Sequence, residues 1–182
     1  QPVAAGQQVK IEQTRHVFLF GCNIFQLNKL KTPVDNAVYA QQFAEVFNFA
    51  TLPFYWWSYV PEQGKPLDAR TEEILDWCRQ HNITAKGHPL AWNYKDPKWL
   101  PKDPDKVMQM QFARVGRCVQ QFRGRLDIWD VVNEATHWDR ETCWKQAPLL
   151  TQVIGRIGVG QYVRLAFQAA RKENPKATLL IN

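Results

Sequence analysis

The stretch from Trp129 to Ala135, WDVVNEA, decides how this chain reads. Ile128, Val131 and Val132 form an apolar run of the kind that pairs inside a sheet, and the run ends abruptly in Asn133 and Glu134. A polar group buried without a partner costs roughly 2 to 7 kcal/mol, so an amide and a carboxylate at the end of a buried strand need either partners or a purpose. Glu134 is therefore the leading catalytic candidate. The plainer alternative is a carboxylate on an exposed loop or one that caps the start of a helix. The rest of the chain has to choose between them.

Working upstream, residues 83–92 read as another strand with His88 and Trp92 gathered at its far end. The segment 47–57, FNFATLPFYWW, is a strand that breaks at Pro53 into an aromatic loop. From His16 the run VFLFGCNIF reads as a fully buried first strand, with Gly21 allowing close backbone approach and Asn23 at its end. Downstream, ATLLIN begins a fifth strand after Pro175. Residues 1–15 read as a connector or short edge strand, and 16–182 as one domain.

Helical periods fill the gaps. Val38, Phe43, Val46 and Phe47 mark one helix. Asp68 is positioned to cap a second, whose stripe is Ile74, Leu75, Trp77 and Cys78. Asp103 followed by Pro104 starts a third, carried by Val107, Met108, Phe112, Val115, Val119 and Phe122 to Gly124. A fourth runs from Val159 to Asn174 after a Trp-containing excursion. Strand and helix alternation of this kind requires a parallel sheet with right-handed crossovers. Polar and aromatic residues (Asn23, Phe54 to Trp57, His88, Trp92, Asn133, Glu134) stand at the C-terminal ends of four strands, which is how a β/α barrel builds its active face. No GxGxxG or Walker motif supports a nucleotide-binding sheet. The expected fold class is thus α/β, a (β/α)8 barrel of which about the first five strands are present.

Composition is that of an ordinary globular domain, 45% hydrophobic and 22% charged, and no stretch reaches the length or apolarity of a membrane span. The opening QPVAAGQQ does not have the pattern of a signal peptide. The net charge of +6 is scattered, and Arg114, Arg117, Arg123 and Arg125 read as a solvated helix face rather than a nucleic-acid stripe. Cys22, Cys78, Cys118 and Cys143 are too far apart for a zinc or redox pair, so buried free thiols are expected. His88, Glu134 and His137 lack the close spacing of a metal site, and none is expected. Some of the eight Trp residues are expected to face a ligand.

A carboxylate, an amide, a histidine and flat aromatics on one barrel face suit cleavage of a glycosidic bond, which needs one carboxyl to protonate the leaving oxygen and a second on the opposite face of the sugar. Glu134 fits the first role, Asn133 a sugar hydroxyl, His88 the orientation of substrate or a neighbouring carboxyl, and Trp92 a wall against a pyranose ring.

GHPLAWN at 87–93, WDVVNEA at 129–135 and LLIN at 179–182, in this order and spacing, resemble the family 10 glycoside hydrolases, whose typical members are endo-β-1,4-xylanases. The resemblance implies a (β/α)8 barrel, a retaining double displacement, no cofactor, a β-linked plant-wall polysaccharide such as xylan as partner, and a secreted or periplasmic setting. It makes Glu134 the general acid/base and places Asn133, His88 and Trp92 around the sugar next to the scissile bond. Asn23, Tyr55, Trp56, Trp57 and Asn93 join them as candidate substrate contacts. Two departures stand out. Pro53 to Trp57 occupies the place of the family's Glu-Asn-x-Met-Lys run, and Asn93 replaces the second His of GHTLVWH. The family's nucleophilic Glu belongs to a seventh strand, so it is expected outside this chain; Asp130 lies inside a strand and Asp139 on a loop, and neither replaces it. A binding or inactive barrel fragment is the alternative.

Overall fold

The computed structural model describes residue 6, residues 8–12 and residues 17–182. Most of the expected connector, and His16, lie outside the described residues. Five strands follow one another as β1 (Gly21–Asn23), β2 (Phe49–Pro53), β3 (Thr84–His88), β4 (Ile128–Val132) and β5 (Thr178–Ile181). All neighbours are parallel and the order in the sheet is the order in the chain. A doubly wound sheet reverses its strand order at a switch point. Here there is no reversal, and the winding is that of a barrel wall.

Parallel neighbours need crossovers, and helices supply them. They are α1 (Pro33–Val46), α2 (Trp56–Tyr59) with α3 (Asp68–Gln80), α4 (Pro104–Gln121), and then α5 (Glu141–Gln146), α6 (Pro148–Ile157) and α7 (Val159–Glu173). Local chemistry sets several starts. Thr32 accepts from the Asp35 amide at 3.1 Å ahead of Pro33, and Asp103 accepts from the Asp105 amide at 2.9 Å ahead of Pro104. Asp68 does not cap α3 as expected; it is the first helical residue, and its carboxylate instead accepts from Tyr59 and Arg117. The excursion after β4 holds two unforeseen helices, α5 and α6. Asp96, far back in the chain, caps α6 by accepting from the Leu149 and Leu150 amides.

The two sheet faces differ in kind. Toward the helices, Ala50, Leu52, Val131 and Trp129 join Ile74, Val115, Val119, Phe122 and Tyr162 in one apolar core. On the other face Lys86 and His88 of β3 meet Asp130 of β4. Trp129 is fully buried and stacks edge-on against Phe54, with ring centroids 4.8 Å apart. Gly87 is its neighbour in register, and a Cβ there would lie 2.3 Å from the Trp129 ring. Gly87→Ala is accordingly expected to destabilise the fold by about 3 kcal/mol through overpacking, read as a fall in the denaturant midpoint. A loss under about 1 kcal/mol would show that the ring moves aside freely.

Four expectations are corrected. Val17 to Phe20 are not strand and are exposed, and the ladder of β1 is confined to Gly21–Asn23, which pairs with Phe49–Thr51 of β2. Val38 and Val46 lie on the exposed face of α1 while Phe43 is buried. Arg114, expected on a solvated face, is 7% exposed. Cys78, Cys118 and Cys143 are buried free thiols as anticipated, whereas Cys22 is exposed.

Candidate active site

Glu134 stands two residues past the buried end of β4 and adopts a left-handed backbone, φ 51° and ψ 40°. A non-glycine residue there is held by its surroundings, since the conformation is disfavoured for side chains with a Cβ. Its amide donates to the Asn182 carbonyl at 2.7 Å, beyond β5, and its carbonyl accepts from the His137 amide at 2.9 Å. The turn lifts the carboxylate out of the sheet, leaving its side chain 44% exposed with Arg140 3.9 Å away. So the capping alternative fails: a short 3-10 turn at Ala135–His137 follows, and the Glu134 side chain makes no cap bond to it. Asn133 is buried, and its backbone N–H donates to the Ala91 carbonyl at 3.0 Å. That bond sets the residues next to it, Trp92 and Glu134, on adjoining segments.

Behind them lies a charged cluster that the sequence did not announce. Asp130 Oδ2 takes Lys86 Nζ at 2.7 Å and His88 Nδ1 at 2.8 Å, with the three side chains 3%, 18% and 14% exposed. Burial alone would raise the Asp130 carboxyl, but the hydrogen bonds and charge of His88 and Lys86 bring it below the ordinary aspartate value. An ionised carboxylate can only accept, so His88 Nδ1 carries a proton and Nε2 is the nitrogen left for a ligand. Asp130 is also the one acidic residue within the five strands. Its charge is spent on Lys86 and His88, which leaves it unfit as a nucleophile toward Glu134.

The aromatic residues separate into a wall and a core. Tyr55 stands edge-on to His88 with centroids 5.5 Å apart, and lies 5.0 Å from Trp57 and 5.9 Å from Trp92. Tyr94, missed in the sequence, stacks on Trp92 at 4.4 Å and leans on Trp57 at 5.4 Å. Phe25 adds an edge contact to Tyr55. Trp56 is corrected: it is 5% exposed and packs against Trp99 on the helix side, because one residue's rotation in α2 turns it away from Trp57. Asn93 is corrected too. It is 2% exposed, and its amide donates to the Trp138 carbonyl and the Thr151 hydroxyl, which latches the segment after β3 to α6. Asn23 is exposed at the end of β1, where its carbonyl accepts from Tyr39, and among the described residues no hydrogen bond joins it to the wall.

The matching family profile is glycosyl hydrolase family 10, over residues 12–182. The chain belongs to this family. It is 27% identical to endo-1,4-beta-xylanase 5 of Arabidopsis thaliana over 97% of its own length and 29% of that protein's, and 29% identical to endo-1,4-beta-xylanase 2 of Claviceps purpurea over 67% and 36%. Among solved structures it superposes with a TM-score of 0.70 on xylanase 10B of Thermotoga petrophila RKU-1 in complex with xylobiose, at 24% identity, covering 89% of this chain and 48% of that one. The family 10 chain thus spans about a third of these curated relatives and about half of the structural one, and its fold is the corresponding part of a β/α barrel.

Cavities place the rest. One of about 550 Å³ lies at the opposite ends of the strands, among Thr84, Gly124, Asp127 and Ile128, away from the candidate site. A cleft of about 230 Å³ adjoins the aromatic wall between Phe25, Gln26, Lys29, Tyr55, Ser58 and Arg70.

Proposed function

We propose that the chain is the N-terminal part of a retaining glycoside hydrolase acting on β-1,4-linked plant cell-wall polysaccharide, xylan foremost, in a secreted or periplasmic setting where such a polymer is met. Glu134 serves as general acid/base, and the nucleophilic carboxylate comes from outside these residues. The observation that carries the reading is Glu134 itself, held in a left-handed turn at a strand end beside Asn133, with His88 and Trp92 on the neighbouring segment. In a retaining mechanism the nucleophile stands about 5 to 5.5 Å from the acid/base. Glu134 first protonates the leaving oxygen and then deprotonates the water that releases the sugar. His88 Nε2 and the Asn133 amide are suited to sugar hydroxyls, and the wall of Tyr55, Trp57, Trp92 and Tyr94 to pyranose faces.

The test is hydrolysis of β-1,4-xylan and of an activated aryl xyloside by the 182-residue chain and by the complete protein. The complete protein is expected to turn both over and the chain alone neither. Turnover by the chain alone, abolished in Glu134→Gln, would place the nucleophile within it. A non-catalytic sugar-binding fragment is the second reading, favoured by the aromatic wall in place of the polar clamp; binding of xylo-oligosaccharide by the complete protein without any turnover would select it.

The wall and core residues separate cleanly by mutation. Trp57→Ala is expected to weaken xylo-oligosaccharide affinity by about tenfold, the loss of one stacking face. Trp56→Ala is expected to cost about 3 to 5 kcal/mol of stability while leaving the affinity of the folded protein within about twofold. Isothermal titration and denaturant unfolding on both variants check this, and equal affinity losses would put Trp56 back in the site.

A further inference from the structure

Arg114 breaks the rule that a charge stays in water unless it is paired. It sits mid-helix in α4 at 7% exposure, and among the described residues no carboxylate lies within ion-pair distance of it. A buried guanidinium without a counter-charge is costly, and a side chain of similar volume without charge would pack the same space. What it does find is backbone. Nη1 donates to the Leu90 carbonyl and Nη2 to the Phe54 carbonyl, while the guanidinium lies over the rings of Trp56 and Tyr59 at 5.5 and 5.8 Å. Gln111, one turn earlier and 1% exposed, donates to the same Leu90 carbonyl at 3.1 Å, so two side chains of α4 converge on that one oxygen.

These two carbonyls are not arbitrary. Phe54 immediately follows β2 and precedes Tyr55, and Leu90 lies between His88 and Trp92. Both segments have left the regular ladder there. Phe54 still donates to the His88 carbonyl, and Leu90 to the Asp130 carbonyl, but their own oxygens have no strand to receive them. Buried carbonyls must be paired, and a forked donor reaching both at once fixes their separation in a way two independent bonds would not.

We propose that Arg114 is a positioning residue for the glycan site: from the helix side of the sheet, its fork sets the distance between the Tyr55–Trp57 segment and the His88–Trp92 segment. The proposal rests on the reading of that face as a sugar site, and its geometric content can be measured apart from it.

The experiment uses the complete protein, with Arg114→Met, which keeps the stem and removes every donor; Arg114→Lys, which keeps the charge but not the fork; and Val115→Ala, a fully buried neighbour on α4, as the control for lost stability. Three readouts are taken well below unfolding: the near-ultraviolet circular dichroism of the stacked aromatics, the nitrogen chemical shifts of His88, and the affinity for xylotriose. Arg114→Met is expected to alter the spectrum and the His88 shifts and to weaken xylotriose about tenfold, with Arg114→Lys intermediate and Val115→Ala near wild type. Spectra and affinity in Arg114→Met matching those of Val115→Ala would overturn the proposal. Should Arg114→Met fail to fold, Arg114→Lys decides by the same comparison. Should the wild-type protein not bind xylotriose, the sugar reading fails, and the spectra and His88 shifts alone decide whether Arg114 positions these segments.

Discussion

Asp130→Ala is expected to lose about 3 to 5 kcal/mol of stability, among the largest effects of any single substitution in the chain. The carboxylate is 3% exposed and one of its oxygens serves both Lys86 and His88. Its removal leaves the Lys86 ammonium largely buried without a counter-charge and frees the His88 ring to turn. Denaturant unfolding measures the first consequence, and a loss below about 1 kcal/mol would mean that water reaches Lys86 freely. The pH dependence gives a second handle. The folded-state value of Asp130 is depressed, so its contribution is present above the unfolded aspartate value of about 4 and is lost as pH falls through the folded one. Stability of the wild type should therefore fall on acidification below about pH 4, and Asp130→Asn should flatten that part of the curve.

Glu134→Gln in the complete protein is expected to reduce hydrolysis of xylan by about 10² to 10⁴-fold, the range a positioned general acid supplies. Glutamine keeps the shape and the left-handed turn but cannot deliver a proton to a poor leaving group. An aryl xyloside with an acidic phenol needs no such proton, so its bond-breaking step should be much less affected. Stability should change little, because the side chain is 44% exposed and its nearest cation, Arg140, is 3.9 Å away and half-exposed. Equal losses on both substrates would point to a positioning role for Glu134 rather than proton transfer.

How much of this was legible in the sequence differs residue by residue. The barrel winding followed from apolar runs alternating with helical periods. WDVVNEA was legible because the abrupt change from Val132 to Asn133 and Glu134 is itself a one-dimensional signal. Partnerships across strands are not. Lys86 and His88 lie 44 and 42 positions before Asp130, and only the parallel pairing of β3 with β4 joins them; period-two alternation shared by Lys86 and His88 was the one hint. Arg114 was misread because an arginine among apolar helical positions normally marks the solvent edge, and nothing local reveals two leftover carbonyls above it. Trp56 and Trp57 are adjacent aromatics whose roles diverge only through the turn of α2. Tyr94 was passed over because it sits beyond the strand in a segment with no period at all. The first strand was read as too long, because the apolar run from Val17 to Phe20 looks in one dimension like the strand that follows it, and only the pairing of Gly21–Asn23 with β2 marks where the ladder begins.

The most direct test of Glu134 as general acid/base is the product formed by Glu134→Ala in the complete protein from an activated aryl β-xylobioside in the presence of azide. Without a general base, water releases the glycosyl-enzyme slowly. Azide needs no deprotonation, and attacks the anomeric carbon as the enzyme carboxylate leaves. The expected result is a rate that rises with azide and a β-configured glycosyl azide. No rise with azide, or an α-configured product, would contradict the assignment, the latter by showing azide standing in for a nucleophile that Glu134 itself had been.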